Sequence, residues 1–180
     1  MFLGSSGLLR KCLNGISARF TDFSRDGQSI AYVTHPEGML WRSRIDGSER
    51  MQLTFPPMGP IVNPKWSPDG RFISFTEFLG DQTKVYLVSG DGGAPMLLLS
   101  GDFKPMDPSW SPDSKSLAYG GVAVIATPGV RTEIRILDLE TKKSKTIHIG
   151  WHETGLALRL RKRIAEPTEI RICRLVFLVV

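Results

Sequence analysis

Three copies of one turn pattern, each trailed by the same succession of short alternating runs, predict an all-β protein. "WSPDGRFISF" begins at Trp66 and "WSPDSKSLAY" at Trp110, 44 residues later. A looser copy, "FSRDGQSIAY", begins at Phe23, 43 residues before Trp66. Four short strands recurring at about 40–45 residues is the period of a β-propeller blade. The expected architecture is a partial β-propeller of about three four-stranded antiparallel blades, with an irregular or degenerate C-terminal segment.

The elements follow in the same order in each copy. A short strand leads into the aromatic residue: "ARFTDF", "IVNPKW" and "MDPSW". Phe23, Trp66 and Trp110 close these strands as large apolar wedges between neighbouring sheets. A turn follows, in which Ser67–Pro68–Asp69–Gly70 and Ser111–Pro112–Asp113 correspond to the Asp26–Gly27 turn of the first copy. Proline fixes φ near −65°, the aspartates accept backbone N–H groups, and glycine takes the positive φ; Ser114 replaces it in the third copy. The second strand alternates with period two ("SIAYVT", "FISFTE", "SLAYGG"), as a half-buried strand does. A third strand ("MLWRSRI", "KVYLVSG", "EIRILDL") ends in "DGS", "DGG" or "LET", and "RMQLT", "PMLLL" and "SKTIHI" supply the fourth.

These runs divide the chain into repeats at 19–60, 61–105 and 106–150. Residues 1–18 read as the remnant of a preceding blade or a disordered start, with "LNGISARF" resembling the close of an earlier blade. Residues 151–180 read as a basic and apolar tail, or as a degenerate fourth blade opening at Trp151. Three blades are fewer than the four to eight that close a propeller, so the chain is expected to be part of a larger one, with open edges available for self-association.

The residues from Pro64 to Gly70, together with Tyr86, Asp91, Gly92, Gly93 and Pro108 to Asp113, resemble the WD-like propeller repeats of TolB; Leu53 and Thr54 match the end of that repeat. Similar repeats occur in prolyl-oligopeptidase-type peptidases and in sensory regions of large bacterial regulators. The resemblance covers about residues 19–148 and implies a propeller, while leaving function open, because one fold carries many functions.

Little in the sequence suggests reactive chemistry. There is no Gly-x-Ser-x-Gly elbow and no phosphate-binding loop; "GDGGAP" from Gly90 aligns with a hairpin in the first copy. Ser5 and Ser6 lie in a polar start without a helix behind them. His148 and His152 stand four apart, but "TIHIGWHETG" reads as strand and turn, and zinc needs three or four protein ligands. His35 reads as a solvated hairpin residue. Asp69, Asp81, Asp91, Asp107 and Asp113 read as turn formers rather than calcium ligands. No catalytic, metal or cofactor site is expected, and the residues singled out are those of the repeat.

Charge points the same way. Residues 1–150 carry 17 Lys or Arg against 15 Asp or Glu, while residues 151–180 carry 6 against 3, so the net +5 comes largely from the tail. "RLRKR" from Arg159 to Arg163 is a basic cluster, read as a solvated run, and nucleic acid is not expected to bind the repeats. Cys12 and Cys173 form neither a disulfide framework nor a metal pattern. No signal peptide and no transmembrane stretch is visible; the chain as it stands is expected in the cytoplasm, and in the periplasm if a longer natural N-terminus precedes it. The expected role is a non-catalytic module binding a protein or peptide, as a TolB-like scaffold or a sensory region. The alternative is the propeller half of a prolyl-oligopeptidase-type serine peptidase.

Overall fold

The computed structural model describes residues 2–3, 9–10, 16–101, 103–124 and 130–152. A two-stranded pair, β1 (Phe2–Leu3) with β2 (Leu9–Arg10), precedes three four-stranded antiparallel sheets. The first sheet contains β3 (Ala18–Phe23), β4 (Ser29–Thr34), β5 (Leu40–Arg44) and β6 (Met51–Gln52). The second contains β7 (Ile61–Trp66), β8 (Phe72–Leu79), β9 (Gln82–Ser89) and β10 (Met96–Leu99). The third contains β11 (Phe103–Trp110), β12 (Ser116–Val124), β13 (Val130–Asp138) and β14 (Ser144–His152). Each is a meander, with every strand beside its sequence neighbour.

Consecutive sheets pack face to face. Side chains on a strand alternate between its faces, so Ala31, Val33 and Leu40 leave the first sheet toward the second, and Trp66, Ile73, Phe75 and Val88 leave the second toward the first, in one buried cluster with Leu53 and Ile61. Leu117, Tyr119 and Leu137 of the third sheet meet Leu98 and Leu99 of β10 in an equivalent cluster. The first strands, β3, β7 and β11, pack against one another in succession. This is the geometry of propeller blades, with β3, β7 and β11 innermost.

The repeat boundaries shift slightly from those read in the sequence. Phe103, Lys104 and Pro105 pair with β12, so the third blade begins there rather than at residue 106. Trp151 and His152 are the last residues of β14, paired with Arg131 and Val130; Trp151 thus ends the third blade instead of opening another. β6 is shorter than the five-residue run expected of it, with Trp41↔Gln52 and Arg42↔Met51 as its pairs. The expectations placed on Ser5, Ser6, Cys12, the "RLRKR" cluster and Cys173 concern residues outside those described.

Candidate functional site

The Ser-x-Asp turns define one end of each blade. In all three, the serine hydroxyl donates to the aspartate at 2.6 Å: Ser24 to Asp26, Ser67 to Asp69, Ser111 to Asp113. The same aspartate accepts the amide two residues on, from Gln28, Arg71 or Lys115. The serine oxygen accepts the amide that starts the next strand, from Ser29, Phe72 or Ser116, at 2.9 Å each. Positions 27, 70 and 114 have φ of 68°, 73° and 61°, so Ser114 occupies the left-handed conformation its two glycine counterparts adopt freely. The Ser24 hydroxyl, then the Gln28 amide, hold the Asp26 carboxyl below its ordinary value. At Asp69, burial pushes upward but is outweighed by the Ser67 hydroxyl, the Arg71 amide and the Arg71 guanidinium. Ser111 and the Lys115 amide lower Asp113. The aspartates are therefore engaged in holding turns rather than available as ligands.

The wedge positions are equivalent in placement and unequal in environment. Trp66 is buried between the first two blades and lies against Gly90, where a Cβ would stand 2.8 Å from its Cζ3. Its Nε1 has no hydrogen-bond partner among the described residues. Trp110, partly buried between the second and third blades, donates its Nε1 to the Lys65 carbonyl at 3.0 Å. Phe23 packs with Ile16, Ala18, Ile30, Tyr32 and Trp41 on the face of the first blade turned away from the second.

Side chains also cross from blade to blade. The Asp22 carboxylate accepts the Trp66 amide at 2.8 Å and the Lys65 ammonium at 3.2 Å. Arg42 Nε donates to the Gly90 carbonyl at 2.7 Å, and the Asp69 amide donates to the Ser114 hydroxyl at 3.1 Å. On the innermost strands, Phe20, Asn63 and Asp107 hold equivalent left-handed positions, with φ of 52°, 51° and 51°, at a bulge in each pairing with the next strand. Asn63 donates through Nδ2 to Asp107. Asp107 thus belongs to a strand bulge rather than to the turn read for it. His148 and His152 lie on β14, paired with Ile134 and Val130, and no group of three metal-ligating side chains is assembled among the described residues.

The opposite end of the blades carries the features a binding surface needs. The connection from β6 to β7 lies against the β8–β9 hairpin: the Phe78 amide donates to the Pro60 carbonyl, and Gly59 approaches Phe78 and Leu79 so closely that a Cβ would collide with the Phe78 carbonyl. Glu77, 3% exposed, anchors this contact by accepting the Gly59 amide at 2.7 Å. It also bonds the Tyr86 hydroxyl, whose pKa is raised first by burial and then by this carboxylate. Beside that contact Phe78 and Leu79 stand 37% and 38% exposed, and Phe55, earlier in the same connection, is 59% exposed. The repeat motif did not reveal this rim, because it lies in the connections where the copies differ; "TFPPMGP" and "FLGDQ" each put aromatic or aliphatic residues beside turn formers, and that was the available signal.

Three such sheets define a partial β-propeller, and its repeats are similar to those of TolB. The chain is 31% identical over 108 residues to the Tol-Pal system protein TolB of Francisella tularensis subsp. mediasiatica, covering 60% of this chain and 24% of that protein. Among solved structures, a putative TolB from Agrobacterium tumefaciens superposes with a TM-score of 0.62 at 21% identity, over 74% of this chain and 50% of that one. The acylaminoacyl peptidase of Pyrococcus horikoshii superposes with a TM-score of 0.57 at 14% identity, over 79% of this chain and 26% of that one. The chain spans about a quarter of the length of the curated relatives it matches. No family model matches it. Among the described residues no helix is long and apolar enough to cross a membrane.

Proposed function

We propose that this chain is a non-catalytic propeller module that binds a protein or peptide, through the rim formed by the β6–β7 connection and the β8–β9 hairpin. The observation that carries the reading is the exposure of Phe78 and Leu79 beside the contact fixed by buried Glu77, with Phe55 exposed in the connection that makes it. Large apolar side chains held on rigid backbone lose little conformational entropy when covered, and aromatic residues of this kind anchor interfaces. The likeness to TolB supports a scaffold role and, with it, an envelope partner in the periplasm. The propeller half of a serine peptidase is the second reading, favoured by the shared fold of the acylaminoacyl peptidase.

The test places a photo-reactive benzophenone side chain at Phe55, or as a control at Ile45. Ile45 is 37% exposed and lies at the other end of the blades, its amide bonded to Gln28 of the first Ser-x-Asp turn. A discrete protein adduct from position 55 and none from position 45, with no serine labelled by a fluorophosphonate probe, is the expected result. Equal adducts from both ends would defeat the binding rim, and labelling abolished by one serine substitution would defeat the non-catalytic reading.

A further inference from the structure

Four Asp–Gly bonds lie at turns of the first two blades: Asp26–Gly27, Asp46–Gly47, Asp69–Gly70 and Asp91–Gly92. Asp–Gly is the dipeptide most open to ring closure, because glycine has no side chain to keep its amide nitrogen from the aspartate Cγ. What holds each carboxyl then decides which of the four reacts. The Ser24 hydroxyl and Gln28 amide hold Asp26, and the Ser48 hydroxyl and amide hold Asp46 at 2.7 Å and 2.9 Å. Ser67, the Arg71 amide and the Arg71 guanidinium hold Asp69. All three carboxyls lie below their ordinary value, through the serine hydroxyl first at Asp26 and Asp46, and at Asp69 against the upward push of burial.

Asp91 is held differently. Ser89 precedes it by two residues, as Ser24 and Ser67 precede Asp26 and Asp69, but Ser89 Oγ accepts the Asp91 amide at 3.1 Å. Two residues beyond it, where Ser48 follows Asp46, stands Gly93, which has no hydroxyl to donate. Asp91 is exposed, and among the described residues no hydrogen bond or ion pair reaches its carboxylate. The glycine amides do not distinguish the sites: Gly27, Gly47, Gly70 and Gly92 each donate to the carbonyl three residues back, at 2.9 or 3.0 Å.

We propose that Asp91 is a modification site, closing on the Gly92 amide to a succinimide that reopens as L-isoaspartate. The Gly92 nitrogen attacks Cγ of the protonated carboxyl. The N–Cγ bond forms, the bond from Cγ to the hydroxyl breaks, and the hydroxyl leaves with the amide proton as water. Water then adds at the α-carbonyl of the ring and cleaves that carbon's bond to nitrogen, so the chain continues through Cγ. The net change is an isomerisation that needs no oxidant, reductant or cofactor. A donor on the carboxylate opposes it by favouring the charged form and by fixing the side chain in place. The added backbone carbon enters the turn from β9 to β10, two residues beyond Gly90, which packs on Trp66 and whose carbonyl accepts Arg42 of the first blade. The site lies away from the rim, and its reaction is independent of what the rim binds.

The test ages the full chain at neutral pH and physiological temperature, both folded and in guanidinium chloride. It carries Asn14→Gln, because the Asn14–Gly15 bond reaches the same kind of succinimide by losing ammonia. Isoaspartate is measured with an L-isoaspartyl methyltransferase, which passes a labelled methyl group from S-adenosylmethionine to the α-carboxylate that isomerisation frees. Electron-transfer fragmentation of the peptides assigns it to a residue. In the folded chain, residue 91 is expected to gain isoaspartate roughly tenfold faster than residues 26, 46 or 69, the factor that one unit of carboxyl pKa represents. In guanidinium chloride that advantage should vanish. Ser48→Ala, at an exposed position, removes the hydroxyl on Asp46 and should raise isoaspartate at residue 46 severalfold while residue 91 keeps its rate. Equal accumulation at the four sites of the folded chain, none at residue 91, or a faster site among the other three would overturn the proposal. So would a Ser48→Ala chain in which residue 46 reacts no faster. An excess at residue 91 that persists in denaturant would overturn it as well, by assigning the preference to the Gly92–Gly93 sequence instead of the fold.

Discussion

The Asp22 carboxylate of the first blade accepts the backbone N–H of Trp66, in the second, at 2.8 Å. One side chain thereby fixes the height at which the second blade's innermost strand meets its neighbour, at the residue whose ring fills the space between them. Lys65 adds a charge to the same acceptor at 3.2 Å but is 46% exposed, so water competes for it.

Replacing Asp22 with alanine leaves the partly buried Trp66 amide unpaired and should destabilise the chain by about 1–3 kcal/mol. Lys65→Ala should cost at most about 1 kcal/mol, because exposed ion pairs contribute little. Urea unfolding of the two variants checks the order; equal losses would mean that the ion pair, not the amide bond, couples the blades.

Gly90 has a packing reason. A Cβ there would stand 2.8 Å and 3.0 Å from two atoms of the Trp66 indole, which is enclosed and has no room to retreat. Gly90→Ala should therefore cost about 1–3 kcal/mol as overpacking. Adding Trp66→Phe should recover part of that loss relative to Trp66→Phe alone, and a double-mutant cycle of thermal or denaturant unfolding measures the coupling.

Gly70 has a conformational one. With φ of 73° and nothing within 4 Å of where a Cβ would stand, the site has space for a side chain but a backbone that disfavours one. Gly70→Ala should cost about 1 kcal/mol in a denaturant midpoint. Ser114 already bears this strain in the third turn, and its hydroxyl offsets some of it by accepting the Asp69 amide at 3.1 Å.

The turn aspartates set an acid limit. Asp26, Asp69 and Asp113 all titrate below their ordinary value when folded. A carboxyl with a depressed folded pKa contributes stability that is present above its unfolded value of about 3.9 and disappears as pH falls through the folded one. The melting temperature should not vary with the titration of these groups near neutrality and should drop as the pH falls below about 4. Replacing all three with asparagine should lower stability at neutral pH and flatten that acid decline; an undiminished decline would assign it elsewhere.

The blades were legible in the sequence where one residue type does one job three times. Serine and aspartate recur in all three turns, as Ser24 and Asp26, Ser67 and Asp69, Ser111 and Asp113, because a tight turn with two side-chain bonds accepts few alternatives, and the second strands of the first two blades recur as aromatic and β-branched runs because they lie mid-sheet with successive residues buried. The polar contacts between blades were not legible, because equivalent positions do different work. Asp22, Lys65 and Ser109 precede the three wedges, yet among them it is Asp22 whose side chain reaches across to the next blade's wedge amide. The bulge shared by Phe20, Asn63 and Asp107 was hidden in the same way: Asn63–Pro64 and Asp107–Pro108 hint at it, since Asn and Asp tolerate positive φ, but Phe20–Thr21 does not. The rim escaped for a further reason. Its residues belong to connections, whose composition the fold leaves free.

Side-by-side stacking of the sheets, with Trp66 enclosed between the first and second, underlies every assignment of the blades and their contacts. Nuclear Overhauser effects from the Trp66 indole test this most directly. Cross-peaks to the Gly90 α-protons and to methyl groups of Val33, Leu40 or Leu53 are the expected result. A Trp66 ring that shows neither, and whose indole proton exchanges with water as fast as in a free peptide, would contradict the stacking and the propeller with it.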